Sequence, residues 1–224
     1  MTFRRPLHAA AATVVLLALS FSAGASAQAA AAPPQRATST PYAGDLHIFE
    51  EPNRDQKLQI DRVMDILHIT RGTAVADIGA GGGWFSVRAA KRVGSEGAVY
   101  AEDINAESAK FITERATKEK LPQVHAVQGT PDDLRLPAPV DAALLLKMYH
   151  EIANPVPLMV KLRGSLKPGA RVGIIDRNGN GQDHGLKQSV LEREMREAGY
   201  RKVEQYDFTK EAGEDYFLVF VAAK

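Results

Sequence analysis

An aspartate and three glycines at alternate positions are the residues of this sequence with the most obvious chemical potential. Asp77 lies near the end of the apolar run "AVADI", and Gly79, Gly81 and Gly83 follow it. Glycines let the backbone turn sharply and approach a ligand closely, and the helix predicted next would offer free N–H groups at its start. The pattern therefore predicts a ligand-binding loop at the carboxyl end of a strand.

The aspartate indicates which ligand the loop suits. The dinucleotide pattern G-x-G-x-x-G does not fit, because Trp84 or Ser86 stands where its third glycine belongs, and the G-K-S or G-K-T of a phosphate-binding loop is absent. The pattern D-x-G-x-G-x-G fits without a mismatch. A carboxylate at Asp77 would repel a pyrophosphate and attract a ligand that carries an ammonium and a sulfonium.

A second acid supports a nucleoside ligand. Asp103 lies 20 residues after Gly83, at the end of the next predicted strand, where a carboxylate can accept hydrogen bonds from both ribose hydroxyls. The alternative is an acid at the start of a helix, ahead of Asn105. The spacing from the glycine loop favours the ribose. Glu102 is expected to point to the opposite face of the strand.

The segment "KMYHEI" follows the fourth predicted strand at the same edge of the sheet. Histidine is the usual group for removing a proton near neutral pH, so His150 is the first candidate base. Tyr149 would shape the site of the molecule that loses this proton, the acceptor, and Glu151 would orient the imidazole. The alternative is that His150 caps the next segment and Tyr149 is core. Asp176, at the end of the fifth strand, and His184, in a glycine-rich loop, are candidates of second rank.

The remaining histidines give no sign of a metal centre. His47, His68 and His125 have no partners at ligand spacing, and the chain has no cysteine. The lack of cysteine also excludes a disulfide framework and a thiol nucleophile. We predict no metal site.

From about Asp45, helix-like and strand-like segments alternate to the end of the chain. Such alternation predicts a parallel sheet covered by helices on both faces. The segment "NRDQKLQIDRVMDILHI" predicts one helix, and Lys167–Gly169 predicts a turn before the fifth strand. The last two strands are separated by a loop only, so they should pair antiparallel. We predict one α/β domain over residues 45–224.

Together these segments resemble the class I S-adenosylmethionine-dependent methyltransferases, in particular small-molecule enzymes with export signals. The segments that carry the resemblance are "VADIGAGGGWFSVRAA", "VYAEDI", "GTPDDLRLP", "LLLKMYHEI", "LKPGARVGIID" and "YFLVFVA". The resemblance implies a Rossmann-like, doubly wound seven-stranded sheet of order 3-2-1-4-5-7-6 with strand 7 antiparallel. It also implies methyl transfer with S-adenosyl-L-methionine as cofactor.

By this resemblance Asp77, Gly79 and Gly81 hold the methionine part of the cofactor, Asp103 holds the ribose and Ile104 packs on the adenine. The predicted cofactor site comprises Asp77, Gly79, Ala80, Gly81, Gly83, Asp103, Ile104, Thr130, Asp132, Asp133 and Lys147.

One position departs from the family. An acid commonly follows the glycine at the end of strand three and reads the adenine amino group, but here Thr130 follows Gly129. Asp132 or Asp133 would supply that acid instead. The alternative is that "TPDD" is only a capped turn.

The N-terminus has the layout of a secretory signal peptide. A basic pair precedes a long apolar run, and "ASA" forms an A-x-A site, so cleavage is expected after Ala27. An uncleaved membrane anchor is the alternative, because no charge interrupts this stretch. We predict a signal peptide over residues 1–27, a flexible leader over residues 28–44, and an exported protein, periplasmic or secreted, without further membrane contact.

The net charge of the chain indicates which kinds of partner it could bind. Removal of residues 1–27 takes away two arginines and no acid, and leaves a net charge of −1. A near-neutral surface offers no basic footprint for nucleic acid. "NPVP" after Ile152 also differs from the N-P-P-[YF] of amino-group methyltransferases. We therefore predict a small, hydrophobic acceptor; the oligomeric state is left open.

Two other functions compete with this prediction. An exported module that binds S-adenosylmethionine or S-adenosylhomocysteine without turnover is one, because the cofactor is made in the cytoplasm. A nicotinamide-dependent oxidoreductase is the other, and Trp84 in the loop disfavours it.

Overall fold

The computed structural model describes residues 1–3, 36–42 and 44–223. Seven strands form one sheet of order β3-β2-β1-β4-β5-β7-β6, in which β7 runs antiparallel to β5 and β6. This confirms the predicted fold class and strand order. The strands are Ala74–Ile78 (β1), Ala98–Asp103 (β2), Val124–Gln128 (β3), Val140–Leu146 (β4), Leu166–Asp176 (β5), Tyr200–Tyr206 (β6) and Tyr216–Ala222 (β7).

Helices alternate with most of the strands. They are Arg54–Leu58 (α1), Ile60–Ile66 (α2), Trp84–Val93 (α3), Ala106–Lys118 (α4), Pro155–Gly164 (α5) and Gln188–Glu197 (α6). Short 3-10 helices are formed by Leu46–Phe49, Gly94–Glu96, Tyr149–Glu151 and Phe208–Ala212. Within the part of the chain that the structure describes, no helix combines the length and apolar character needed to cross a bilayer.

Two predicted elements differ from the structure. The single helix predicted before β1 is broken at Gln59, whose φ is +48°. Leu58 and Ile60 are both buried, and residues two apart point to different faces of a continuous helix, so the break lets both reach the core. The turn predicted at Lys167–Gly169 lies within the bounds of β5.

The central strands position the site because they are buried on both faces. Val75 and Leu144 pack into one apolar cluster, whereas Ala76 and Ala143 pack into a second cluster. This alternation is the period-2 geometry of a strand covered on both sides. Because β1, β2 and β4 run parallel, their carboxyl ends meet at one edge of the sheet.

The predicted signal peptide and most of the predicted leader fall outside the described residues. The compact unit that contains the sheet spans Gln35–Lys224. In the described part of the leader, the Arg36 guanidinium lies 2.7 Å from a Glu194 carboxylate oxygen and donates to the carbonyls of Tyr149 and Ile152 at 2.6 and 2.7 Å. This stretch is therefore attached to the domain by a largely buried ion pair, and the export signal stays a prediction.

Candidate functional site

A cavity of about 1080 Å³ opens at the carboxyl ends of β1, β2 and β4. Most of the predicted site residues line it: Asp77, Gly79, Ala80, Gly81, Asp103, Ile104, Thr130, Asp132, Lys147 and His150. Gly83, Asp133, Tyr149 and Asp176 were also predicted and do not line it. The volume exceeds what one drug-sized ligand needs, so there is room for a cofactor and a small second molecule.

The glycine loop adopts backbone conformations that only glycine takes readily. Gly79, Gly81 and Gly83 have φ values of +66°, +54° and +70°. A Cβ atom at Gly79 would lie 2.8 Å from the Met148 side chain, and one at Gly81 would lie 3.1 Å from the Phe49 ring. The first two glycines therefore keep the cavity floor open. Gly83 is instead the N-cap of α3, and a Cβ atom there would lie 3.1 Å from Ile112 of α4.

Asp77 is buried at the cavity floor and accepts a hydrogen bond of 2.6 Å from the Ser86 hydroxyl. Burial raises the pKa of Asp77 to about 6, against the lowering effect of Ser86. Arg54 also lines the cavity and favours the ionised carboxyl. Ser86 was considered in the sequence only as a mismatch to a dinucleotide pattern, and its position on the first turn of α3 is what brings it to Asp77.

Asp103 is fixed by two backbone donors. Its carboxylate accepts from the N–H groups of Gly81 and Asn105, both at 2.8 Å. Burial raises its pKa, and these two hydrogen bonds oppose that rise. The strand-end acid thus ties β2 to the glycine loop of β1, and Ile104 beside it is exposed on the cavity wall.

Glu102 was expected to point to the opposite face of the strand, away from the ligand, but its side chain faces the cavity. It lines the cavity, is 2% exposed, and accepts from the Gly79 N–H at 3.5 Å with one oxygen. The other oxygen, Oε1, is buried without a hydrogen-bond partner among the described residues. Burial, followed by the charge of Asp103, raises the pKa of Glu102 to about 8.

The neighbouring strand explains how Glu102 reaches this position. A Cβ atom at Gly129 would lie 1.9 Å from Glu102 Oε1, so only a glycine at the end of β3 leaves space for the carboxyl. Period-2 alternation alone could not reveal this, because it depends on a residue 27 positions away. Gly129 was the residue in the sequence that could have indicated this position of the Glu102 carboxyl.

The turn after β3 separates the acids proposed to read the adenine. The Thr130 N–H donates to the Asp133 carbonyl at 2.8 Å, and the Asp133 N–H donates to the Thr130 carbonyl at 3.1 Å, which is the capped turn considered as the alternative. Thr130 and Asp132 line the cavity. Asp133 turns outward, where its carboxylate accepts from the Arg135 N–H at 3.0 Å. Of the two acids, the geometry favours Asp132.

Lys147 lies at the end of β4 in the left-handed region, with φ +58°. Its Nζ atom lies 2.7 Å from a carboxylate oxygen of Glu214, which is 1% exposed. Burial raises the pKa of Glu214, and the Lys147 ammonium opposes that rise. The Lys147 ammonium on the cavity wall therefore forms an ion pair with the buried Glu214 carboxylate.

His150 is held by Asp176 at the other end of the cavity. Its Nδ1 atom lies 2.9 Å from both Asp176 oxygens, and its backbone N–H donates to one of them at 3.2 Å. Because a carboxylate only accepts, Nδ1 carries the proton and the lone pair of the imidazole is on Nε2. Asp176 is fully buried and reaches the cavity only through His150.

The other residues of this segment divide between cavity and core. Glu151 lines the cavity, and its Oε1 atom lies 3.8 Å from His150 Nε2. It therefore neighbours the imidazole without forming a hydrogen bond. The prediction that Tyr149 shapes the acceptor site is wrong, because its ring is fully buried in the core beneath Arg36. The first residue of a 3-10 helix points inward here because the next strand and α6 cover it.

The N-terminal segment, residues 38–42 and 44–49, contributes side chains to the wall of the cavity. Tyr42, Ile48 and Phe49 line it. His47 instead packs edge-on against Phe111, with ring centroids 5.1 Å apart.

Comparisons with known proteins agree with this fold. Residues 75–169, less than half of the chain, match the family model described as a methyltransferase domain. A sequence comparison with curated proteins finds no significant match.

Comparison with solved structures agrees with the match to the methyltransferase family model. A SAM-dependent methyltransferase from Aquifex aeolicus is 22% identical with a TM-score of 0.70, over 80% of this chain and 98% of that one. A putative rRNA methylase from Clostridium thermocellum is 17% identical with a TM-score of 0.57, over 74% and 94%. The [4+2]-cyclase SpnF is 15% identical with a TM-score of 0.63, over 85% and 86%. The chain therefore has the Rossmann-like methyltransferase fold, and its residues 75–169 are similar to a methyltransferase domain.

Proposed function

We propose that this protein transfers the methyl group of S-adenosyl-L-methionine to an oxygen of a small, largely apolar acceptor. The observation that carries the proposal is a single cavity with buried carboxyls at one end and an Asp176-held imidazole at the other. The matched domain indicates the methyl donor, and the acceptor class is inferred from the cavity.

The donor end fits a cationic nucleoside. Asp77, Glu102 and Asp103 place three carboxyl groups around the glycine loop, and desolvation raises the pKa of each, so a bound cation would favour their ionised forms. The unpartnered Oε1 of Glu102 offers a further acceptor. When bound, the cofactor supplies a methyl group made electrophilic by its positive sulfur. The carboxyls would bind its cation and ribose, and the glycines would admit it closely.

The acceptor end supplies a base. His150 would take the proton of the acceptor hydroxyl on Nε2, while the oxygen forms its bond to the methyl group and the sulfur keeps the electron pair of the broken bond. Asp176 is a positioning residue, because it holds the ring through Nδ1 and stabilises the imidazolium that forms. The proton then passes to water.

The walls favour a small acceptor. Phe49, Trp84, Met148 and Leu158 line the cavity together with apolar residues of the N-terminal segment. Apolar walls of this kind suit a small molecule with an apolar surface. The near-neutral composition gives no independent support for a nucleic-acid acceptor, although one structural neighbour is a putative rRNA methylase.

We further propose export, on the sequence of residues 1–27 alone. Mass spectrometry of the mature protein tests it, and an N-terminus at Gln28 is the expected result. A mature protein that still begins at Met1 would contradict cleavage and favour the anchor.

Calorimetry and turnover together test the function. Binding of S-adenosylmethionine and S-adenosylhomocysteine without binding of NADH is the expected result, and the reverse would favour an oxidoreductase. In a panel of hydroxylated acceptors, His150→Ala should lower the rate by about 100-fold or more while cofactor affinity is kept. His125→Ala, an exposed histidine on β3, is the matched control. Cofactor binding without turnover on the panel would favour the binding module.

A further inference from the structure

Three potential metal ligands converge beside the acceptor end. His150, Glu151 and His184 each offer one atom, and these atoms lie within 4.8 Å of one another. The imidazoles of the two histidines stand perpendicular, with centroids 5.9 Å apart. All three residues line the cavity. Two nitrogens and one carboxylate facing an open space are the donor set of a site with three protein ligands and a free position.

The orientation of His150 is what a metal ligand requires. Asp176 occupies the Nδ1 side of the ring, so the lone pair on Nε2 faces Glu151, whose Oε1 atom is 3.8 Å away. A carboxylate behind a metal-binding imidazole fixes its tautomer and raises its basicity. Because Asp176 is fully buried, this support does not depend on an exposed side chain.

His184 completes the set from a different element. It lies in the loop between β5 and α6 and has a φ of +58°. Arg177 donates to the His184 carbonyl at 2.8 Å and so holds the backbone of the loop. Ligand atoms of a tetrahedral ion are about 3.4 Å apart, given bonds of about 2.0–2.2 Å, so separations of up to 4.8 Å need to shorten by at most about 1.4 Å, which the exposed His184 side chain can provide.

We propose that His150 Nε2, Glu151 and His184 bind one divalent transition-metal ion, with Zn²⁺ as the best match. Imidazole nitrogens select such ions over Ca²⁺ and Mg²⁺, which prefer oxygen ligands. A second consequence rests on the proposed function. The ion and the acceptor's proton compete for the same nitrogen, so the metal-loaded protein lacks its base and turns over slowly.

Metal binding is measured without reference to activity. Tag-free, full-length protein is titrated with Co²⁺ and followed by visible d–d absorption, and Zn²⁺ is then used to displace the Co²⁺. One equivalent should bind. His184→Ala and Glu151→Gln should each weaken binding by about 10-fold or more, and Asp176→Asn by about 10–100-fold. The matched control, His125→Ala, should bind as the wild type does.

The outcomes separate the two proposals. Wild-type affinity in His184→Ala, or no uptake of Co²⁺, would overturn the metal site, whereas cofactor calorimetry on the same samples would still report the methyltransferase site. If the site exists, Zn²⁺ should suppress methyl transfer, EDTA should restore it, and His184→Ala should be less sensitive. Full turnover at saturating Zn²⁺ would overturn the competition for Nε2.

Discussion

The donor end and the acceptor end of the cavity are built in different ways. At the donor end, Asp77 and Asp103 lie at the ends of two adjacent parallel strands, and the glycine loop follows one of them directly. At the acceptor end, His150 follows β4 and depends on Asp176 at the end of β5. The loop of His184 and the N-terminal segment supply further parts of the cavity wall. The donor end belongs to the sheet, whereas the acceptor end is assembled from separate loops around it.

The two ends also differ in their charges. At the donor end, desolvation raises the pKa of Asp77, Glu102 and Asp103, and the charge of Asp103 adds to the rise at the first two. At the acceptor end the one fully buried carboxylate, Asp176, is paired with an imidazole. A cationic cofactor would complete the first end, while the second already has its partner. We therefore expect mutations at the donor end to change affinity and those at the acceptor end to change rate.

The largest expected effect is at Asp176. Asp176→Asn removes the negative partner of the imidazole and permits the wrong tautomer, so kcat should fall by about 100-fold or more. Dissociation constants for S-adenosylmethionine and the thermal midpoint, measured by calorimetry, should change little. Asp207→Asn, at an exposed aspartate, is the control. A loss of cofactor affinity equal to the loss of rate would break the division between the two ends.

Asp103 tests the donor end. Asp103→Ala removes an acceptor with charge-assisted hydrogen bonds, so cofactor affinity should weaken by about 10–150-fold, or roughly 1.5–3 kcal/mol. Titration calorimetry measures this change, with Glu107→Gln on the exposed start of α4 as the control. Unchanged affinity would remove the ribose assignment. The rate at saturating cofactor should be nearly unchanged.

The donor end could be predicted because its signals are local. Asp77, its glycines and Asp103 lie at strand ends, and a parallel sheet brings such ends together. Glu102 was misplaced because its position depends on Gly129 in another strand. In the fold, the strand order was predicted correctly, and the break at Gln59 was missed because the apolar residues at helical spacing, Ile60, Val63, Met64 and Leu67, all follow it.

The acceptor end was only partly predictable because its contacts, like the position of Glu102, depend on residues that are distant in the sequence. His150 and Asp176 were placed at one edge of the sheet, but their direct contact depends on side-chain directions. The approach of His184 depends on a loop conformation that no periodicity encodes. Tyr149 was assigned to the cavity from its neighbours in sequence, and in a 3-10 helix adjacent residues point in different directions.

Arg36 tests whether the N-terminal segment belongs to the acceptor end. Arg36→Ala leaves Glu194 buried without its cation and removes two bonds to backbone carbonyls, so the free energy of unfolding should fall by about 1–3 kcal/mol. Denaturant titration measures this loss, and Arg193→Ala, from an exposed pair with Glu197, is the control. We also expect a higher KM for the acceptor with unchanged cofactor affinity. An equal loss of stability in both variants would show that the buried pair does not fix the segment.

The smallest expected effect is the pH dependence of the donor end. The pKa of Asp77 is raised to about 6 and that of Glu102 to about 8, above ordinary values of 3.8 and 4.5. Between the ordinary and the raised pKa, the folded cofactor-free protein binds more protons than the unfolded chain. Its stability should therefore fall as the pH rises from about 4 to 8 through these two groups.

A cationic cofactor reverses this trend because it favours the ionised carboxyls. Its affinity should increase several-fold from pH 5.5 to 7, with release of protons that calorimetry detects in buffers of different ionisation enthalpy. Glu102→Gln cannot ionise, so it should flatten the dependence and make the cofactor-free protein more stable near pH 8. The dependence on Asp77 would remain, with its midpoint near pH 6. If wild type and Glu102→Gln release the same number of protons, the unpartnered carboxyl of Glu102 does not take part in binding, and Asp77 and Asp103 alone hold the cation.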